Sequence, residues 1–442
     1  MKKQQIKKIA ATALFAFSMT VLPAPAWAVS TNIVAETEGK TTLTMSQIQD
    51  LAAIYNRNNE SFELQQDILD LNKTMTRNSR RSLQDAINNA SAAAGGGSNE
   101  LDAMKQQLDT MKDQNPEIEA DLGYQALQMQ IKNAQSSMAA AQMQQISSVD
   151  AMIDQIESIN GALDDLDEAA DDLDKSMSDW KREVRLVAEK LCLNYAQLEK
   201  TIALTEQQVA LAEKALAIAE VQQNLGMAVT TDMVAAESSL LEAKNSLAGL
   251  EENLDMLKRQ INLMIGRNMG SPLEITGIMA PPIAIEPAPP YTEALIDHFI
   301  ENNYELKTLE RTKANYKDTD LTELGSDERK SLDQEIKGTD LQITAKKEAI
   351  ENNLKSLLAK INSDGKAYQI ARDKYVNEKK LFEFNKLKYE RGMISQLDFM
   401  RAELTLNSAE LQWMQAGYTY HNDWQKYNAL QEGITLTAYD SM

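Results

Sequence analysis

The sequence predicts a mainly α protein, built as a duplicated pair of long coiled-coil helical hairpins with few or no β-strands. Three observations predict it. A short segment occurs twice, 166 positions apart: Gly226-Met227 with Asp232 and Ala236-Glu237, then Gly392-Met393 with Asp398 and Ala402-Glu403. The arms that follow both copies place apolar residues at alternating steps of three and four, the period of a left-handed coiled-coil seam. The intervals that precede the hairpins are rich in Ala, Gln, Met, Asp and Lys, which favour helix, and poor in the aromatic residues that favour strands.

The chain opens with Lys2, Lys3, Lys7 and Lys8, an apolar run from Ile9 to Leu22, and Ala26-Trp27-Ala28. A basic start, a short apolar core and a small-x-small end predict a signal peptide over residues 1–28, cleaved after Ala28. The formal net charge is −21, and losing four lysines makes the remainder more acidic. So acidic a surface excludes nucleic acid as a partner and disfavours anionic lipid, since both would be repelled.

A first helical repeat is predicted over 29–271. Thr44 leads into a helix that reaches Asn58-Asn59, and a long interval follows with breaks at Gly95-Gly96-Gly97 and Asn115-Pro116. Between Phe62 and Leu186 the only aromatics are Tyr124 and Trp180. Leu127, Met129 and Ile131 alternate with polar residues, but that run is too short for a transmembrane strand of about 9 to 11 residues. The first hairpin spans about 186–266 with its tip near 226. Its incoming seam is Leu191, Tyr195, Leu198, Ile202, Thr205, Val209, Ala212, Leu216 and Ala219. Its returning seam is Met233, Ala236, Leu240, Ala243, Leu247, Leu250, Leu254, Leu257, Ile261 and Met264.

Residues 272–290 hold six of the nine prolines and predict an extended linker. The second repeat, 291–442, opens like the first, with Thr292 leading into a helix that reaches Asn302-Asn303. Its hairpin spans about 366–433 with the tip near 392. The returning seam, from Phe399 to Leu430, has one residue out of character, Asp423. The incoming arm reads as looser, with Tyr368, Tyr375, Phe382 and Tyr389 set among polar residues. Arms of about 35 to 40 residues reach roughly 50 to 60 Å at 1.5 Å per residue.

Gly226 and Gly392 suit the reversals, because a residue just past a helix end often takes the left-handed conformation. Asp232 and Asp398 sit where an acidic side chain can cap, or meet the positive end of, the returning helix. The single cysteine, Cys192, beside seam residue Leu191, reads as a small buried apolar side chain. His298 and His421 are far apart and lack a zinc-site pattern, and the acidic run from Asp164 to Asp174 lacks the turn glycine and alternate-ligand spacing of a calcium loop. The sequence predicts no enzyme, no metal and no cofactor.

The duplicated halves, each opening with a helix that ends in Asn-Asn, the repeated Gly-Met-x-x-x-x-Asp tips, and the arm ending Leu263-Met264-Ile265-Gly266 resemble the TolC family of outer-membrane efflux proteins. The resemblance covers most of the mature chain and is most specific over 186–266 and 366–433. It implies a homotrimer whose hairpins form a hollow α-barrel and whose tips dock a periplasmic adaptor coupled to an inner-membrane pump. The docking tips so implied are Gly226, Met227, Asp232, Gly392, Met393 and Asp398. Asp398 matches an acidic position near the family's closed entrance, whereas Arg401 stands where a second acid is sought, against a strongly cation-selective aperture. A further departure concerns the strands that the family places between opening helix and hairpin, since none stands out here. Two functions stay open: an efflux duct of a tripartite export system in the outer membrane, or a non-conducting extracytoplasmic spacer or adaptor in the envelope.

Overall fold

The computed structural model describes residues 41–55, 57–94, 98–114, 122–225, 230–280, 285–318, 325–434, 436 and 439. The predicted signal peptide, the Gly95–Gly97 and Asn115-Pro116 breaks, and Gly226-Met227 lie outside them. Among the described residues the elements are β1 (Thr42–Thr44), α1 (Met45–Tyr55), α2 (Arg57–Ala94), α3 (Ser98–Gln114), α4 (Leu122–Asn224), α5 (Thr230–Met264), β2 (Glu274–Thr276), α6 (Glu293–Asn302), α7 (Tyr304–Lys317), α8 (Ser326–Glu390) and α9 (Gln396–Gln431). The fold is mainly α, with two three-residue strands paired in parallel through Leu43 and Ile275. No described helix is long and apolar enough to cross a membrane.

The chain divides into two compact units, one of Glu60–Met177 and one containing residues up to Asn59 and from Ser178 onward. In the first unit α2 lies antiparallel to the 122–177 stretch of α4. Lys73 pairs with Asp167 at 2.8 Å, Gln66 Nε2 donates to Asp174 at 3.4 Å, and Gln145 Nε2 donates to the Ala90 carbonyl at 2.7 Å. The interval before the first hairpin is thus helical where it is described.

In the second unit local chemistry sets the breaks. Thr44 and Gln47 form a reciprocal cap at the start of α1: Gln47 N–H donates to Thr44 Oγ1 and Thr44 N–H to Gln47 Oε1. Asn59 then ends that helix, its buried amide donating to the carbonyls of Ala53 and Ile54 at 2.6 and 2.9 Å. The later counterpart uses the same residue types. Thr292 Oγ1 accepts from Leu295 N–H, and Asn303, which closes α6, accepts from Leu306 N–H to open α7. The interval before the second hairpin is also helical: α7 lies antiparallel to the start of α8 through Lys313–Asp340, Lys346–Glu305 and Lys347–Glu310.

The heptad seams are the dry edges of the arms. On α5 every seam residue from Met233 to Leu257 is half-buried, while Ile261 and Met264 are buried. The arms α4 and α5 meet antiparallel, with Lys244 paired to Glu213 at 3.0 Å. The incoming arm of the second hairpin differs from the looser packing its sequence suggests. Tyr375 stacks on Trp413 with centroids 5.1 Å apart, Tyr389 stacks on Phe399 at 4.7 Å, and Phe382 packs against Phe399 at 5.5 Å. One large ring per heptad fills the space that two aliphatic side chains fill elsewhere, so polar neighbours do not loosen the seam.

The core sits where the hairpins meet the strands and linker. Leu43, Ile48, Ala188, Cys192, Tyr195, Ile261, Ile265, Ile275 and Ile434 belong to one buried cluster. Phe299, Leu354, Leu358, Ile361, Tyr420 and Tyr427 form a second, against which Ile285 and Ala288 of the proline-rich segment pack. Hydrogen bonds tie that segment down: the Tyr418 hydroxyl donates to the Met279 carbonyl at 2.9 Å, and Tyr420 donates to the Glu286 carbonyl at 2.6 Å while accepting from its N–H.

Candidate functional site

At the second tip, α8 ends in a left-handed glycine. Gly392 has φ +68°, its N–H donates to the Tyr389 carbonyl at 2.9 Å, and Met393 N–H donates to the Lys388 carbonyl at 2.8 Å. Two such bonds closing successive carbonyls define a Schellman stop. The same stop recurs at the far ends of both returning arms, at Gly266 with φ +74° and Gly433 with φ +81°. Arg267 N–H there donates to the Asn262 carbonyl, and Ile434 N–H to that of Ala429.

The returning helix α9 is capped by Ser395, a residue the sequence reading passed over. Its hydroxyl accepts from Asp398 N–H at 3.1 Å and donates to the Asp398 carboxylate at 2.7 Å. Asp398 is therefore the third helical residue, holding the cap from below and meeting the positive helix end. Arg401 lies 3.8 Å from that carboxylate, both side chains exposed. Met393 is 68% exposed at the apex, so the tip presents a flexible apolar side chain near an exposed aspartate–arginine pair. At the first tip Asp232 falls in the first turn of α5, and Gly226 and Met227 lie outside the described residues.

Between the hairpins runs a polar ladder that the sequence does not announce. From the tip side inward, Asn407 donates to Gln207 at 2.7 Å, Lys200 pairs with Glu410 at 2.5 Å, His421 lies 2.5 Å from Glu189, and Arg182 pairs with Glu432. The rungs join α4 to α9 in antiparallel register. Glu189 is the most enclosed, also receiving Gln49 Nε2 at 2.9 Å and Gln425 Nε2 at 3.4 Å. These hydrogen bonds and ion pairs between the hairpins add to the apolar contact that Ala429 makes in the first buried cluster.

The out-of-character seam residue, Asp423, is 4% exposed. Lys360 Nζ donates to its Oδ1 at 2.7 Å, and the Asp364 carboxyl is a close neighbour. Burial first, then the neighbouring acid, pushes Asp423 up to about 6 despite Lys360. Oδ2 of Asp423 and Oδ2 of Asp364 are buried without a hydrogen-bond partner. Burial, with Glu189 nearby, pushes the Cys192 thiol up to about 12, the environment of an unreactive core thiol. No group of three or more His, Cys, Asp or Glu among the described residues is placed to hold a metal ion.

These arrangements define a protein of long helical hairpins. No protein-family model and no curated protein matches the chain. Among solved structures it is similar to CusC, at 12% identity over 76% of this chain and 97% of that one, with a TM-score of 0.43. It is similar to the Campylobacter jejuni CmeC outer membrane channel at 11% identity, over 65% and 69% of the two chains, with a TM-score of 0.41. The outer membrane protein VceC from Vibrio cholerae aligns at 12% identity over 63% and 76%, with a TM-score of 0.40.

Proposed function

We propose that this protein is an exported, TolC-like efflux duct component, working as a homotrimer in the cell envelope. In this reading substrates leave an inner-membrane pump, cross the periplasm through the hairpin barrel, and depart at the outer membrane. The observation that carries it is the pair of long hairpins with half-buried to buried heptad seams, the second of which ends in an exposed turn at Gly392-Met393. Such arms span distance and line water. The tips, Gly226, Met227 and Asp232 with Gly392, Met393 and Asp398, are the surfaces offered to a periplasmic adaptor protein.

A second reading is favoured by a specific observation. In both intervals where a TolC-like chain would place its membrane strands, the described residues form helices, α2 with α4 and α7 with α8. A non-conducting extracytoplasmic spacer or adaptor needs only those helices and the hairpins. Planar-bilayer conductance of the purified mature protein, with its detergent-corrected mass on the same sample, separates the two. A trimer giving stable conductance steps supports the duct. A protein that stays in solution and never inserts supports the spacer.

A further inference from the structure

The first unit, Glu60–Met177, is a helical assembly with very little core. Its buried apolar residues, among those described, are Tyr124, Ile131, Leu163 and Leu173. Helices of this length with one shared seam do not close a hydrophobic interior, because each has a second flank that faces water. On α2 that flank is apolar. Leu64, Ile68, Leu71 and Met75 are 61%, 39%, 59% and 58% exposed, and their steps of four, three and four are those of a second heptad seam.

A seam with that period is shaped for another helix. The Lys73–Asp167 and Gln66–Asp174 contacts fix the level of α4 beside it, so positions 64 to 75 stand level with positions 176 to 165. At that level one flank of α4 carries Ala169 and Ser176 with Asp165 and Asp172 between and beside them, and Ala162 continues the seven-residue spacing just beyond it. By helical periodicity both rows lie on the same face of the antiparallel pair, at its opposite edges. A row of large side chains and a row of small ones, at one height and with one spacing, are the knobs and holes of a single repeating contact. An unrelated partner would cover one row and leave the other bare, whereas a second copy covers both.

We propose that the first unit is a homo-oligomer interface, in which Leu64, Ile68, Leu71 and Met75 of one copy pack against the Ala162–Ser176 flank of the next. The contact is heterologous, edge to opposite edge, and so closes into a ring of helices. It rests on the homo-oligomer of the proposed function and not on conduction. Helix-to-helix closure then does, in this unit, the joining that strand pairing does in a membrane barrel.

The test uses the full mature chain in a Cys192→Ala background. Leu71→Cys and Ala169→Cys are made as separate variants with distinguishable tags, co-expressed, and oxidised, and native mass is measured on the same preparation. The expected result is a covalent dimer containing one chain of each tag, while either variant alone stays unlinked on a denaturing gel. Ile68→Cys with Asp172→Cys repeats the test one turn away, and helicity by circular dichroism guards against a folding defect. An oligomeric mass without the mixed link at either pair, or with only Leu71→Cys joined to itself, overturns this interface and leaves the duct reading standing. A monomeric mass overturns both.

Discussion

Replacing Asp423 with asparagine should stabilise the protein at neutral pH and have almost no effect in acid. In the folded state the Asp423 carboxyl is held up to about 6, against a free value of 3.8. A raised carboxyl keeps its proton in the folded chain after the unfolded chain has released it. Its contribution is therefore neutral below about pH 4, turns unfavourable as pH rises towards 6, and stays so above. The shift of about two pH units corresponds to roughly 3 kcal/mol at 1.36 kcal/mol per unit. Asparagine removes that penalty, but it weakens the bond from Lys360 by about 1 kcal/mol. The expected net gain is about 1 to 2 kcal/mol at pH 8 and near zero at pH 4.5. Urea unfolding at both pH values, at one fixed protein concentration, measures the difference between the two proteins, in which the other carboxylates cancel. Equal effects at both pH values, or a loss at pH 8, would refute the raised Asp423 carboxyl.

The glycine stops give a paired comparison. At Gly392 an added Cβ meets nothing within 4 Å, so Gly392→Ala should cost only the left-handed penalty of about 1 to 2 kcal/mol. At Gly433 the same atom would stand 1.9 Å from the Asn302 carbonyl oxygen, so Gly433→Ala should cost about 3 kcal/mol or more. Similar melting shifts for the two would show that the close approach at Gly433 is not part of the fold. Charge reversal at Asp232 and Asp398 together should weaken capture of the periplasmic adaptor in a pull-down. Asp398→Asn, which keeps an acceptor for Ser395, separates docking from capping, and undiminished capture by the double reversal would remove these residues from the docking surface.

The sequence by itself determined the secondary structure, because the signals are local. A 3.5-residue period appears wherever one helix face must dry, and Thr44, Thr292, Asn59 and Asn303 act on backbone groups within a few positions of themselves. Gly392 was legible for the same reason, since the left-handed stop depends on its own φ. For Asp398 the sequence leaves capping or meeting the positive helix end open: Ser395 holds the helix end, and Asp398 meets it from inside the first turn. A reading that weighed serine ahead of Gln396 as strongly as aspartate behind it would have found the pair.

Only the tertiary structure decided what depends on register between distant segments. That Asp423 belongs in a dry seam follows from Lys360 and Asp364 lying across it, and nothing within α9 points to either. The aromatic residues at 368, 375, 382 and 389 looked sparse until Trp413 and Phe399 were placed against them. The ladder from Gln207–Asn407 to Arg182–Glu432 joins residues 200 to 250 positions apart, and each member taken alone is an ordinary polar residue on a solvated helix. Periodicity shows which face of a helix must be covered. It carries no information about which helix covers it, because that choice is made by the heights at which long arms pair, and those heights are fixed by turns and ion pairs far away along the chain.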